Sequence, residues 1–145
     1  MNIQVKKLRE GAVLPTRGSE KAAGYDLYAC LDQPVVIYPN TNVKIGTGLA
    51  IAVPEGYFGA VFARSGLAAK QSLRPANCVG VCDADYRGEY MVALHNDGNE
   101  PRTVNPGDRI AQLVVMPFLP VEFSEVAELD ETARGAGGFG STGRA

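Results

Sequence analysis

Tryptophan is absent from the 145-residue chain, and histidine occurs once, at His95. A lone histidine with no second candidate base beside it speaks against a Ser/His/Asp or Cys/His triad. Cysteine is scarce and odd in number: Cys30, Cys78 and Cys82 cannot all pair internally. The opening residues Met1-Asn2-Ile3-Gln4-Val5-Lys6-Lys7 contain no apolar core of a signal peptide. Together these predict a reducing, cytoplasmic setting. Cys78, Cys82 and His95 match no common zinc spacing and lack an evident fourth ligand, so the thiols are expected to pack as small hydrophobes. No apolar run approaches the ~18–20 residues of a membrane span. Basic residues are not in excess: 14 Lys and Arg stand against 16 Asp and Glu, a formal net charge of −2. That balance argues against a protein whose main work is gripping a nucleic-acid backbone. No long stretch keeps a 3.6-residue apolar period, which removes helical bundles.

What is present is turn chemistry at a regular rhythm. Pro39-Asn40, Pro54-Glu55-Gly56, Asn96-Asp97-Gly98-Asn99 and Pro106-Gly107-Asp108 punctuate the chain. Between them lie short β-branched or aromatic runs at 35–38, 43–45, 48–53, 57–62, 90–94 and 110–115. This pattern predicts an all-β barrel or jelly-roll sandwich in one domain. One short helical turn is expected over Leu67 to Ser72. The run 110–116 is more apolar than a half-exposed strand needs, which predicts burial on both faces, within the domain or against another subunit.

Polar residues gather in a few places. The end of the chain, Arg134 to Gly143, holds five glycines, an arginine, Phe139 and the hydroxyls of Ser141 and Thr142. So glycine-rich a terminus cannot build core, but it can wrap a polyanion. It is not a P-loop, because Ser141 stands where the lysine belongs and too few residues follow for a helix. It reads instead as a lid that orders on a ligand bound elsewhere. Asp83-Ala84-Asp85-Tyr86-Arg87-Gly88 puts two acids, a tyrosine and an arginine after the apolar run Val79 to Cys82. One of those acids could orient water as a general base. Arg64-Ser65-Gly66 follows an apolar strand and offers a phosphate nest. Gln112 and Asp26 each sit inside an apolar frame, where a buried polar group needs partners.

Five segments in order resemble the motifs of the trimeric dUTPases: Ala23 to Leu27, Arg64 to Ala68, Gly80 to Gly88, Gly107 to Leu113, and the glycine tail. The resemblance runs from about Gly24 to Gly143, with one departure, Cys82, where the family usually carries isoleucine or leucine. It implies a jelly-roll-like β-barrel over residues 1–130 and a flexible arm over 131–145 that closes over the active site. It also implies a homotrimer with shared sites, in which the arm of one chain crosses to another. The implied reaction is hydrolysis of dUTP to dUMP and pyrophosphate, with Asp83 activating water against the α-phosphorus. Mg2+ would be held mainly by the triphosphate and water, with Asp26 touching the metal's waters or orienting a neighbour. Arg64, Ser65, Gly66 and Gln112 are the implied phosphate contacts. Asn77 and the main chain of Val81, Cys82 and Met91 would read uracil. Tyr86 would press on the sugar. Phe139 would stack over the base while Arg134, Gly138, Ser141 and Thr142 enclose the phosphates. A dCTP deaminase, a non-enzymatic relative of the same fold and a structural jelly-roll remain the competing readings.

Overall fold

The computed structural model describes residues 1–143; Arg144 and Ala145, the last two residues of the expected arm, lie outside the described residues. The described residues form eleven strands and one short helix. In order they are β1 (Gln4–Lys7), β2 (Tyr25–Tyr28), β3 (Val35–Ile37), β4 (Asn42–Gly46), β5 (Leu49–Ala52), β6 (Tyr57–Phe62), α1 (Ser65–Gln71), β7 (Leu73–Pro75), β8 (Gly80–Cys82), β9 (Met91–Asn96), β10 (Arg102–Val104) and β11 (Arg109–Pro117). The expected all-β, jelly-roll-like architecture is what forms. The strands pair as four short antiparallel sheets, ordered β1-β5, β10-β3, β2-β11-β6-β8 and β4-β9-β7.

The sheets share one apolar core. Leu27, Ile37, Ile45, Leu49 and Leu94 are fully buried in it, with Ile51, Leu73, Tyr90 and Ile110 beside them. Alternation does the sorting, as in β9, where Val92, Leu94 and Asn96 point in while Met91, Ala93 and His95 lean out. Among the strands that the turn rhythm misses, β1, β7 and β10 are three or four residues long and carry Lys, Arg or Pro. Their neighbours hold them: β1 pairs with β5, β7 with β9 and β10 with β3, so tertiary pairing overrides weak local preference.

Two expectations change. The helix begins at Ser65, two residues before the predicted turn, and Ser72 ends it in the left-handed region at φ 56°. Gly66, a poor helix former, hid that first turn. In β11, burial on both faces does not hold within one chain. Ile110, Ala111 and Leu113 are buried, but Val114 and Val115 are half-buried and Met116 is exposed.

The barrel lets go of the chain just after β11. Phe118 N–H donates to Gly56 O at 3.1 Å. Beyond it, residues 119–136 are exposed, and the backbone bonds of the tail, such as Gly137 N–H to Arg134 O and Ser141 N–H to Gly138 O, are local turns. Leu119, Val121 and Phe123, at every second position, stand largely free of the barrel.

A buried amide fastens the far end of β9. Asn96, fully buried, donates to Ile37 O at 2.9 Å and Glu100 O at 2.8 Å and accepts from Gly98 N–H at 2.8 Å. Each buried group left without a partner costs roughly 1–3 kcal/mol. Asn96→Ala is therefore expected to destabilise the fold by at least about 2 kcal/mol, read as a lower urea midpoint at unchanged slope.

Candidate active site

The residues expected to act on one ligand form two separate clusters and a detached tail. The first cluster surrounds a cleft of about 360 Å³ lined by Asn77, Val81, Cys82, Asp83, Tyr86 and Met91, together with Lys44, Glu89, Tyr90 and Ala93. Its wall is β8, the edge strand of its sheet. On one side β8 pairs with β6, Cys82 opposite Gly59 and Val81 opposite Ala60. Its other edge presents backbone donors and acceptors, the arrangement a flat hydrogen-bonding ring can pair with.

After β8 the chain turns tightly at the cleft's mouth. Tyr86 N–H donates to Asp83 O at 3.1 Å, and the Arg87 guanidinium caps the turn by donating to Ala84 O at 2.6 Å and Tyr86 O at 3.0 Å. Arg87 thus serves the backbone of the turn. The side chain of Asp83 is exposed and also borders a second hollow with Phe58, Ala84, Asp85 and Phe118. The Tyr86 ring lies over Gly88, where a Cβ would meet its ring at 2.6 Å, and its hydroxyl donates to Glu89 O at 2.9 Å. Behind it, burial pushes the Cys82 thiol up, with a partial offset from Tyr90.

Side chains remote in sequence brace this cluster. Glu89 Oε1 accepts from Gly48 N–H at 2.7 Å and pairs with Arg9 at 2.7 Å. Arg74 grips Asp97 at 2.6 and 3.1 Å and donates to Pro75 O at 3.1 Å, steadying the approach to Asn77.

The second cluster is a hollow of about 440 Å³ lined by Gly24, Asp26, Arg64, Ser65, Gly66, Arg109 and Gln112, with the 18–23 loop. Its backbone is set by register: Gln112 lies opposite Asp26 on one side and Phe62 on the other. Gln112 donates to Ala63 O at 2.9 Å and packs against Gly24, where a Cβ would run into the amide. Asp26 pairs with Arg64 at 2.8 Å and Arg109 at 3.4 Å. Of the two roles expected for Asp26, its contacts here are those of orienting neighbours. The hollow has an excess of positive charge, two guanidiniums over one carboxylate, which suits an anion.

Adjacent strands are spaced ~4.8 Å apart and rise ~3.3 Å per residue. Asp83 follows Cys82 beside the Phe58 end of β6, whereas Asp26 is level with Phe62 and three strands away. On those spacings the two acids are roughly 20 Å apart in one chain. The tail joins neither cluster. Arg134 Nε donates to Gly137 O at 2.8 Å, the Phe139 ring is fully exposed, and Ser141 and Thr142 are exposed.

Sequence reasoning missed Arg9, Lys44, Glu89, Tyr90 and Arg109. Arg109 stands inside the Gly107 to Leu113 segment and could have been found there, whereas Glu89 falls one residue beyond Gly88. Arg9 and Lys44 reach the cleft only through folding. Among the described residues, no three or more His, Cys, Asp or Glu gather as a metal site, and no helix is long and apolar enough to cross a membrane.

The comparisons point one way. A family model described as dUTPase matches residues 10–143. The deoxyuridine 5'-triphosphate nucleotidohydrolase of Desulfitobacterium hafniense is 57% identical over 131 residues, covering 90% of this chain and 87% of that one. The solved dUTPase of Staphylococcus bacteriophage 80alpha with dUpNHpp superposes with a TM-score of 0.89 at 30% identity, over 99% of each chain. A dUTPase from phage phi11 of S. aureus, whose structure concerns the coordination of a structural Mg(II) ion, gives 0.79 at 29% identity over 88% of this chain and 98% of that one. A family match over nearly the whole chain, laid on the clefts just described, establishes that the protein belongs to the dUTPase family.

Proposed function

We propose that the protein hydrolyses dUTP to dUMP and pyrophosphate by water attack at the α-phosphorus, limiting uracil incorporation into DNA and supplying dUMP for dTMP synthesis. The observation that carries the reading is the first cleft, where a free strand edge, an aromatic wall and an exposed carboxylate meet. The open edge at Val81 and Cys82, with Asn77 and the main chain at Met91, reads uracil as a base-pairing partner would. Cytosine presents a donor where uracil accepts, so a fixed backbone rejects it. A fitted wall leaves no room for the 5-methyl of thymine. Tyr86, clamped at its hydroxyl, presses on the sugar and excludes a 2′-hydroxyl.

Asp83 stands at the mouth of that cleft and orients the attacking water, taking its proton as general base. The phosphates extend onto Arg64, Ser65, Gly66 and Gln112, which supply charged and neutral donors. One substrate cannot touch both clusters of a single chain if they lie roughly 20 Å apart. The protein therefore works as a homotrimer in which Asp83 and Arg64 of one site come from different chains. The half-buried Val114 and Val115 and the exposed Met116 supply apolar surface for such contacts. The arm over 131–145 reaches a site on another chain, where Phe139 covers the base and Arg134, Gly138, Ser141 and Thr142 enclose the phosphates.

Mg2+ would be held mainly by the triphosphate and water, since Asp26 is engaged by two arginines and no carboxylate cage stands among the described residues. When bound it neutralises phosphate charge. Asp26 keeps Arg64 and Arg109 aimed into the hollow. The three free thiols suit a reducing cytoplasm.

Incubation with dUTP and magnesium is expected to release pyrophosphate, and incubation with dCTP to release no ammonia. Ammonia from dCTP would select a deaminase instead. Asp83→Asn is expected to keep dUTP affinity within a few-fold and to slow single-turnover hydrolysis by about 10²–10⁴-fold; near-parental turnover would remove Asp83 from the role of base. Truncation after Glu131 removes no side chain that is buried among the described residues, so thermal unfolding is expected to stay in place while kcat/KM for dUTP falls. Undiminished kcat/KM in the truncated chain would show that the arm takes no part.

A further inference from the structure

Tyr90 does nothing in the mechanism above, yet it is the most deeply set side chain of the first cleft. It is 2% exposed and belongs to the hydrophobic core, while its edge lines the same cleft as Cys82, Asp83 and Tyr86. Its main chain is locked into the barrel. Tyr90 N–H donates to Leu49 O at 2.8 Å, and Tyr90 O accepts from Thr47 N–H at 3.1 Å and from the Thr47 hydroxyl at 2.7 Å. The ring therefore projects from a rigid base.

Two walls of the cleft lean on that ring. The Tyr86 ring packs against it, with centroids 6.1 Å apart and planes tilted by 42°, an arrangement within the favourable range for aromatic pairs. On the other side the Tyr90 hydroxyl reaches across β8 towards β6. A Cβ added at Gly59 would lie 2.9 Å from that oxygen and 3.5 Å from the Cβ of Cys82, the residue paired with Gly59. The hydroxyl is buried and has no hydrogen-bond partner of good geometry among the described residues, the Cys82 thiol beside it offering only a weak contact. A buried phenol without a partner is costly. Phenylalanine would fill nearly the same space without that cost, so the ring is needed more than the oxygen. Burial pushes the phenol well above its ordinary range, so it stays neutral.

We propose that Tyr90 is a positioning residue for substrate selection: its ring is the common backing of the sugar wall at Tyr86 and the base wall at Cys82. The short side chain of Cys82 stands beside the Tyr90 ring on the floor of the cleft. Gly59 leaves the room for its tip. Tyr86 is then held at three points: the Tyr90 ring at its face, Gly88 beneath it and Glu89 O at its hydroxyl. Loss of the backing lets Tyr86 retreat and opens space for a 2′-hydroxyl, whereas the catalytic carboxylate of Asp83 is not touched.

The inference rests on the dUTP reading, and its test separates the two. The readout is kcat/KM for dUTP over that for UTP, with the thermal midpoint as a control for folding. Displacements of about an ångström in a positioned group change rates by up to about 10²-fold. Tyr90→Leu is expected to lower the ratio by about tenfold, mainly by raising kcat/KM for UTP. Tyr90→Phe is expected to hold the ratio within about twofold. Gly59→Ala drives a methyl into the tyrosine oxygen and, at 3.0 Å, against Leu113 Cδ1; it lowers the ratio, and adding Tyr90→Phe to that variant recovers the part of the loss that is due to the oxygen. The restoration keeps the test open even if Tyr90→Leu does not fold, because a general loss of packing would not be repaired by removing one oxygen. An unchanged ratio in folded Tyr90→Leu, or in Gly59→Ala, overturns the proposal. Tyr86→Ala distinguishes the level of failure. If it lowers the ratio while Tyr90→Leu does not, Tyr90 has no such role; if it also leaves the ratio unchanged, the sugar-wall reading of Tyr86 falls and this inference falls with it.

Discussion

The geometry of one four-stranded sheet governs how this protein can work. β8, with Asp83 at its end, is one edge of the order β2-β11-β6-β8, and β2, with Asp26, is the other. The pairing Gly59 to Cys82 and Phe62 to Gln112 also offsets the two groups along the strands. Because ladders are stiff and their spacing is fixed, no side-chain rotation closes a gap of roughly 20 Å. The proposed reaction nevertheless has a water activated at Asp83 attack a phosphorus whose neighbouring oxygens sit on Arg64 and Gln112. On the proposed reading another copy of the chain brings those groups to the same substrate, which would make assembly a condition of the chemistry.

Several features follow from that condition. A site built between subunits can be rigid on each side and still admit substrate, and both clusters here are rigid. Tyr86 is pinned through Glu89, itself tied to Arg9 and Gly48, and Arg64 is pinned by Asp26. The element detached from both clusters is the tail, whose described contacts are local turns. Ordering costs roughly 1–2 kcal/mol per residue, so the proposed closure of the tail requires phosphate and base contacts that offset that cost. Phe139 is suited to this, since its ring is fully exposed until something flat lies beneath it.

Much of the site was readable before folding because it is written in short contiguous runs. Asp83 to Gly88, Arg64 to Gly66 and the tail each keep their chemistry within a few residues, and a local pattern survives without knowledge of the fold. The turn rhythm similarly gave β3 to β6, β9 and β11. What the chain hides is whatever works through space. Tyr90 looked like the first residue of an apolar strand, and its role behind Cys82 depends on Gly59, thirty-one positions earlier. Arg9 and Glu89 carry no local signal of their partnership. β1 and β10 are too polar to announce themselves, and the helix start at Ser65 was masked by Gly66. The outer face of β11 was legible as too apolar, but only the folded chain showed that nothing within it covers Val114 to Met116.

The claim on which the rest depends is that acid and phosphate-binding groups of one site belong to different chains. Complementation measures it directly. Asp83→Asn chains and Arg64→Ala chains are each expected to be nearly inactive alone. Arg64→Ala leaves Asp26 its second partner, Arg109, so the chain should still fold. Co-expressed at equal amounts and purified as mixed trimers, they place an intact acid beside an intact arginine in roughly a third of the sites of a cyclic assembly. Recovery of about that fraction of parental dUTP hydrolysis is the predicted result. Mixed trimers as inactive as either parent would contradict the account, because both groups would then belong to the same chain.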